Sequence, residues 1–494
     1  MAFRVGLVRP CRYTLSLLET RQGYKSLVSC RSRSLGFQTR GLSQSSHIPA
    51  QVAQKVKAPR VLRDVPLPIL FRSLLVLSVA ALPSSILSVI IRITKRHSQL
   101  LSNSRLLRWP VHKTFYNTFC IGSENAEIRE NIKSLRGMGL DGIVLAFARE
   151  TKIGDQEQTN VLTETNANLR EWVSMNMETL QNLTDEDYLA LRCTGAGPAA
   201  VAALDAFSAS TPGTKEYEAN LETLRVFEDA LTRICAEAEK KGVRILIDAE
   251  SSLHQAAIDH VALSVMSKFN RNGRAVIYNT YQMYLQAGTS KMIKHIRLSQ
   301  DRNFTIGIKM VRGAYLHVEA RPEALHTCKQ NTDDCYDNSV RFLFGGKVDS
   351  SESGSTVGQT RPWNAEIMLA THNDASVQKA LSLWRSGGAL TDTPNANGGT
   401  VQSLSFAQLM GMADEVSLGL VADKKDHTWT SDSVPKESLP TVGVYKYTIW
   451  GSFEECLLYM LRRAEENQDA VARTRGTALE ALREVGKRFV PFMN

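Results

Sequence analysis

The chain has 494 residues, 43% hydrophobic, 22% charged and 7% aromatic, with 31 glycines and 15 prolines. These are globular proportions, which exclude a collagen, a low-complexity disordered chain and a small disulfide scaffold. The formal charge of +9 sits at one end: residues 1–63 hold twelve Lys/Arg against Glu19 alone, leaving 47 Lys/Arg and 49 Asp/Glu elsewhere, so the body gives no reason to expect nucleic acid as a partner.

The first segment, 1–45, is rich in Arg and Ser and interleaves Arg4, Arg9, Arg12 and Arg21 with Leu, Phe and Val. This is the composition of a mitochondrial transit peptide, the alternative being a disordered basic arm that binds anionic surfaces. An N-terminal arm follows over 46–105. Within it Ser73–Ile91 is nineteen uncharged residues between Arg72 and Arg92. As one helix it would reach about 29 Å, the thickness of a bilayer core. Five serines and Pro83 weigh against a span and favour an apolar element lying on a membrane or packed on the protein body.

From about residue 106 to the end, short β-branched or apolar runs recur at Gly142–Ala148, Tyr188–Thr194, Val243–Ala249, Ala275–Tyr281, Thr305–Val311, Glu366–Thr371, Thr400–Leu404 and Val442–Tyr447. Several are apolar throughout, as expected of parallel strands covered on both faces. Helical patterns lie between them, clearest over Tyr217–Lys241, where Leu221, Leu224, Phe227, Leu231 and Ile234 share a face. Eight strands alternating with helices predict an α/β fold, a (β/α)8 TIM-like barrel, with an open doubly wound sheet as the alternative. Polar residues at the strand ends, Asp248, Gln282, Arg312, His372 and Tyr447, favour the barrel, whose strand ends converge. Segments 331–360, 386–399 and 422–440 are polar or turn-rich and read as surface insertions.

The motifs follow in chain order. Gly195-Ala-Gly-Pro-Ala-Ala200 fits G-x-G-x-x-A, but the acid of a dinucleotide fold is missing about 20 residues on, and Pro198 suits the first position of a helix. Ile245-Leu-Ile-Asp-Ala-Glu250 delivers Asp248 to a strand end, as a site residue or as a helix cap. In Ile306-Gly-Ile-Lys-Met-Val-Arg-Gly-Ala-Tyr315, strand alternation lets Lys309 point into a barrel. There it could form a Schiff base, hold an electron-rich ring, or pair with an inward acid. Arg312 can meet a phosphate, and Gly313 lets backbone approach a ligand. Leu369-Ala-Thr-His-Asn373 presents His372 and Asn373 in the same way. In the last long helix, Ser452 and Glu455 form a capping box, after which Tyr459, Arg462, Arg463 and Glu466 share a face. Paired guanidinium forks suit a small carboxylate; a solvated face with an Arg462–Glu466 ion pair is the plainer alternative. The eight cysteines are dispersed and no Cys/His spacing suggests a metal.

Together these segments resemble the proline dehydrogenase (proline oxidase) family. The matching pieces are Ile247-Asp-Ala-Glu250, Asn279-Thr-Tyr-Gln-Met-Tyr-Leu285, Lys309-Met-Val-Arg-Gly-Ala-Tyr315, Ala370-Thr-His-Asn373, Phe406-Ala-Gln-Leu-Met-Gly-Met412 and Tyr459-Met-Leu-Arg-Arg-Ala-Glu-Glu-Asn467. They are collinear with the family and cover roughly 110–470, and the insertions and N-terminus look like a mitochondrial, fungal-type member.

The resemblance implies a distorted barrel that holds FAD without a Rossmann domain and oxidises L-proline to Δ1-pyrroline-5-carboxylate. A hydride passes to flavin N5, and ubiquinone takes the electrons at the matrix side of the inner membrane. Arg462 and Arg463 would then clamp the substrate carboxylate, Tyr447, Tyr459 and Leu409 would enclose the ring, and Glu466 would sit beside it. Asp248 would support the site by hydrogen bonds. Lys309 would lie near N5, while Gln282, Arg312, Gly313, Ala314, Tyr315, His372 and Asn373 would hold the rest of FAD. Two residues depart from the family pattern: Arg192 stands where a carboxylate-binding Lys is usual, and Ile449 where Pro is common. A hydroxyproline oxidase, a Schiff-base lyase on Lys309 and a catalytically silent membrane scaffold are the competing readings.

Overall fold

All eight expected strands form, and they close into a ring. In the computed structural model, residues 65, 67–80, 82–149, 167–316, 319–346, 362–386, 394–425, 441–457, 459–461, 482, 485 and 486 are described, all in the unit Ala58–Asn494. The strands are β1 (Cys120–Gly122), β2 (Gly142–Phe147), β3 (Tyr188–Leu191), β4 (Arg244–Ile247), β5 (Ile277–Gln282), β6 (Ile306–Val311), β7 (Trp363–Ala370), β8 (Gly399–Leu409) and β9 (Thr441–Trp450). Pairing is parallel throughout. β9 joins β8 at Leu409↔Tyr447 and β2 at Val144↔Tyr447, so β2 to β9 make a closed barrel and the open sheet is excluded. The short β1 takes the same edge of β9 as β8, at Ile449 and Trp450, beyond the point where β8 ends.

The helices are α1 (Leu67–Ala80), α2 (Ser84–Arg96), α3 (Ser98–Asn103), α4 (Arg105–Val111), α5 (Asn117–Phe119), α6 (Asn125–Gly137), α7 (Ala167–Gln181), α8 (Pro198–Ala209), α9 (Lys215–Lys241), α10 (Ser252–Phe269), α11 (Gly288–Arg302), α12 (Lys329–Leu343), α13 (Asp374–Arg385) and α14 (Asp414–Lys425), with further helical residues at 453–457 and 459–461. α9 shows why such segments form where they do. The Thr214 hydroxyl accepts from the Tyr217 N–H at 3.1 Å, and Gly242 ends the helix in the left-handed region at φ 73°. Its buried face of Leu224, Phe227, Leu231 and Ile234 lies in the layer between strands and helices.

Strand alternation divides the core. Ile143, Leu145, Leu189 and Leu191 pack outward under the helices, while Val144, Ala146, Tyr188 and Ala190 face the barrel interior. The floor of that interior is polar but paired. Glu366 accepts from the Tyr278 hydroxyl at 2.6 Å and the Ala275 N–H at 3.0 Å, and lies 3.7 Å from Arg244 Nε. Tyr188 meets Tyr278 and Tyr445 edge-on. A buried carboxylate is tolerated there because its lone pairs are satisfied.

Several expectations change. The apolar segment 73–91 is two helices, because Pro83 precedes α2 and α1 stops at Ala80; among the described residues no helix is long and apolar enough to cross a membrane. The proposed insertion at 331–360 begins inside α12, a helix between β6 and β7; residues 422–425 complete α14, and Gly399 starts β8. The transit segment 1–45 and the remaining insertion cores lie outside the described residues. The Gly195–Ala200 motif is a strand–helix turn, with Gly197 at φ 100° and Pro198 opening α8.

Candidate active site

The site is built where β3, β4, β6 and β9 end. Asp248 follows β4, its N–H continuing the ladder to Leu191 O at 2.9 Å. Its carboxylate is the hub: Oδ1 accepts from Lys309 Nζ at 2.6 Å and Oδ2 from the Tyr447 hydroxyl at 2.7 Å, while Arg192 Nε stands 4.0 Å from Oδ2. Lys309 also lies 5.0 Å over the Tyr447 ring, and Arg192 lies 5.9 Å over the ring of Tyr459, in the helical residues 459–461. Both Lys309 and Tyr459 are buried. The sequence's inward lysine therefore does pair with an acid, and that acid is Asp248 itself.

Two cations, Lys309 and Arg192, face the Asp248 carboxylate, and Glu250 stands near Arg192 as a second acid. Burial and the charge of Asp248 push the Tyr447 phenol well above its ordinary range, so it remains a neutral donor. Glu250, two residues beyond Asp248, is a further site residue that the sequence pattern does not single out. It is buried, accepts the Thr194 N–H at 3.0 Å as well as the Thr194 hydroxyl, and burial raises its carboxyl above the usual range. Its place in the apolar run Ile245–Glu250 was the available signal: a second acid that must turn inward.

The neighbouring strand ends supply further groups. Gln282, buried, donates from Nε2 to Glu250 O at 2.9 Å. His372 Nε2 accepts from the Leu409 N–H at 3.0 Å, which puts the ring hydrogen on Nδ1. Leu409 packs half-buried against the inner cluster. Tyr315 is half-buried and Ala314 exposed. Gly313 has φ 135°, and a Cβ there would fall 1.6 Å from Tyr284 Cδ1, so backbone and phenol are in close apposition. The segment beyond it folds back over β5 through the Leu285–Leu325 bridge, and the Tyr284 hydroxyl donates to Glu319 at 2.7 Å.

Two expected ligand residues have other partners here. Arg312 donates to Asp333 Oδ1 at 2.6 Å, Thr371 at 2.7 Å and Ser376 at 2.9 Å, and stacks 4.5 Å over Tyr336. Asn373 caps α13 by accepting the Ser376 N–H. Arg462, Arg463 and Glu466 lie outside the described residues. The donor set nonetheless fits a flavin ring: a buried ammonium with one N–H directed at Asp248, a carboxamide, an imidazole and an aliphatic side chain, at adjoining strand ends. Among the described residues, no group of three His, Cys, Asp or Glu is placed to hold a metal ion.

Comparison with known sequences is decisive at this point. A model of the proline dehydrogenase family matches residues 128–476. The chain belongs to the proline dehydrogenase family. Proline dehydrogenase 1, mitochondrial, of Dictyostelium discoideum is 30% identical over 279 residues, covering 54% of this chain and 42% of that protein. Hydroxyproline dehydrogenase of Xenopus laevis is 24% identical over 424 residues, covering 79% of this chain and 81% of that protein. The chain spans about half the length of the first curated relatives it matches. Proline utilization A of Bdellovibrio bacteriovorus shares the fold, with a TM-score of 0.53 and 15% identity over 81% of this chain and 36% of that one.

Proposed function

We propose that the chain is an FAD-dependent proline dehydrogenase that oxidises L-proline to Δ1-pyrroline-5-carboxylate, the first step of proline catabolism, and passes electrons to ubiquinone at the matrix side of the inner mitochondrial membrane. The observation that carries this reading is the Lys309–Asp248–Tyr447 cluster at the mouth of a closed barrel, within a chain of this family. When bound, FAD supplies the two-electron acceptor. Gln282, Lys309, Arg312, Gly313, Ala314, Tyr315, His372 and Asn373 would hold it, Arg312 exchanging some of its present partners for phosphate.

This chain's own side chains then bind, orient and exclude water. Arg192, with Arg462 and Arg463, takes the substrate carboxylate and thereby fixes which ring carbon faces inward. Tyr447, Tyr459 and Leu409 wall the ring. Asp248 holds Lys309 and Tyr447 in place and puts negative charge near the substrate nitrogen, where positive charge grows as the carbon–nitrogen double bond forms; Glu466 adds to it. A Schiff-base role for Lys309 is disfavoured, because its ion pair and aromatic contact are those of an ammonium, which has no lone pair with which to attack a carbonyl.

Hydroxyproline is a second candidate substrate, favoured by the long alignment to the Xenopus protein. Relative rates on the two amino acids decide between them. The test of the main reading is the visible spectrum of the purified protein before and after anaerobic L-proline. A flavin band that bleaches supports it; colourless protein, or a band indifferent to both substrates, overturns it.

A further inference from the structure

Among the described residues, ten of the thirteen large apolar side chains that are exposed fall between Phe71 and Trp109. Apolar residues scattered singly on a surface are ordinary; a run of them on consecutive helices is not. α2 shows the arrangement. At 3.6 residues per turn its side chains fall on three faces. Leu87 and Ile91 are buried against the protein, Ile86, Val89, Ile90 and Ile93 form an exposed apolar stripe, and Ser88, Arg92, Lys95 and Arg96 form an exposed polar face. One face therefore serves folding, and a second apolar face is left over.

α3 and α4 go further, since neither has a buried residue. α4 presents Leu106, Leu107 and Trp109 outward, Leu106 at 85% and Trp109 at 63% exposure, alongside the exposed Arg105 and Arg108. Phe71 and Leu75 on α1 add an exposed pair four residues apart. The charge is one-sided. Between Asp64 and Glu124 there is no acid, and Arg92, Lys95, Arg96, Arg105, Arg108 and Lys113 are exposed there, while Arg72 is partly buried near Asp414.

We infer that α2 to α4, with the outer edge of α1, form an in-plane docking surface for an anionic lipid bilayer. Leucine, isoleucine and tryptophan side chains enter the headgroup–acyl boundary, and the arginines and lysines meet lipid phosphates. This rests on the proposed inner-membrane setting and assigns it to residues. Charge decides the occupant: an uninterrupted set of cations beside the apolar stripe fits a negatively charged surface, whereas a second copy of this chain would set like charges against each other. No spanning helix is needed, since the helices would lie along the interface.

The test is flotation of the full chain with phosphatidylcholine vesicles, with and without phosphatidylglycerol, for the wild type, Leu106→Ser/Trp109→Ser and Arg105→Glu/Arg108→Glu. These side chains are exposed, and bound flavin reports that each variant has folded. The wild type should float with anionic vesicles, less so at high salt, and both double variants should lose at least about tenfold in partitioning. Failure of the wild type to float overturns the proposal, as does a Leu106→Ser/Trp109→Ser chain that floats normally. A wild-type dimer that this variant makes monomeric, with vesicles ignored, also overturns it. Flavin bleaching by proline is read on the same samples: its failure with normal flotation would sink the catalytic reading and leave the docking surface standing.

Discussion

Asp248 and Tyr447 are 199 residues apart in the chain, and the phenol of one donates to the carboxylate of the other at 2.7 Å. The bond spans from the end of β4 to β9 across the barrel mouth. It holds the Tyr447 ring against the ammonium of Lys309.

Tyr447→Phe keeps the ring and removes the donor. One oxygen of Asp248 then loses a partner in a partly buried site, and kcat/KM for proline should fall about tenfold to a hundredfold. Flavin content should stay normal. Steady-state rates with a soluble dye acceptor measure it, and an unchanged kcat/KM would remove this bond from the mechanism.

Arg192 is a guanidinium at the position where the resemblance leads one to expect an ammonium. It sits near Asp248 and over Tyr459. Arg192→Met should raise KM for proline about tenfold or more, through loss of a carboxylate contact, with a smaller effect on kcat. Arg192→Lys should recover part of that loss, because the charge survives while the planar fork over Tyr459 does not. A lysine variant as impaired as the methionine one would mean that the planar fork is what matters.

Gly313→Ala places a Cβ 1.6 Å from Tyr284 and forces a side chain into a φ of 135°. The segment that Tyr284 and Glu319 hold over β5 must move. We expect a loss of about 2 kcal/mol or more in stability, together with reduced flavin content. Thermal unfolding and the ratio of visible to ultraviolet absorbance read the two effects separately.

His295 is buried, with Nδ1 3.1 Å from the Tyr281 hydroxyl, and burial holds its pKa below the ordinary value. His112 and His260 shift in the same direction for the same reason. In the unfolded chain these rings take up protons near pH 6.5, and in the folded chain only at lower pH. The unfolded state therefore binds more protons in that window, and stability falls as pH drops below about 6.5. His295→Gln should flatten the decline in Tm between neutral and mildly acidic pH; an unaltered slope would assign the effect elsewhere.

Much of this was readable from the chain alone, for physical reasons that differ by element. The barrel strands are short buried runs of β-branched and aliphatic residues, so their positions follow from composition. β1 is three residues long and paired only at the β9 seam, which no local pattern signals. Alternation put Lys309 inside, but its partner lies 61 residues away, and only ring closure brings the two together. As a strand-end cation Arg312 can meet a phosphate, yet Asp333, Thr371 and Ser376 all reach it from later helices and loops, which no local pattern signals. In the N-terminal arm, Pro83 argues against one continuous span, but the split into helices with outward-facing apolar stripes depends on which face finds the protein body.

β9 is the keystone of the ring, since it pairs with β8 on one side and β2 on the other and also carries Tyr447. During synthesis, every earlier strand leaves the ribosome before it. Until residue 450 has emerged, the nascent chain is an open ribbon with two sticky borders, vulnerable to aggregation and in need of chaperone cover. A transcript or protease cut that removes this last strand yields no half-active fragment: architecture and chemistry are lost in the same stroke.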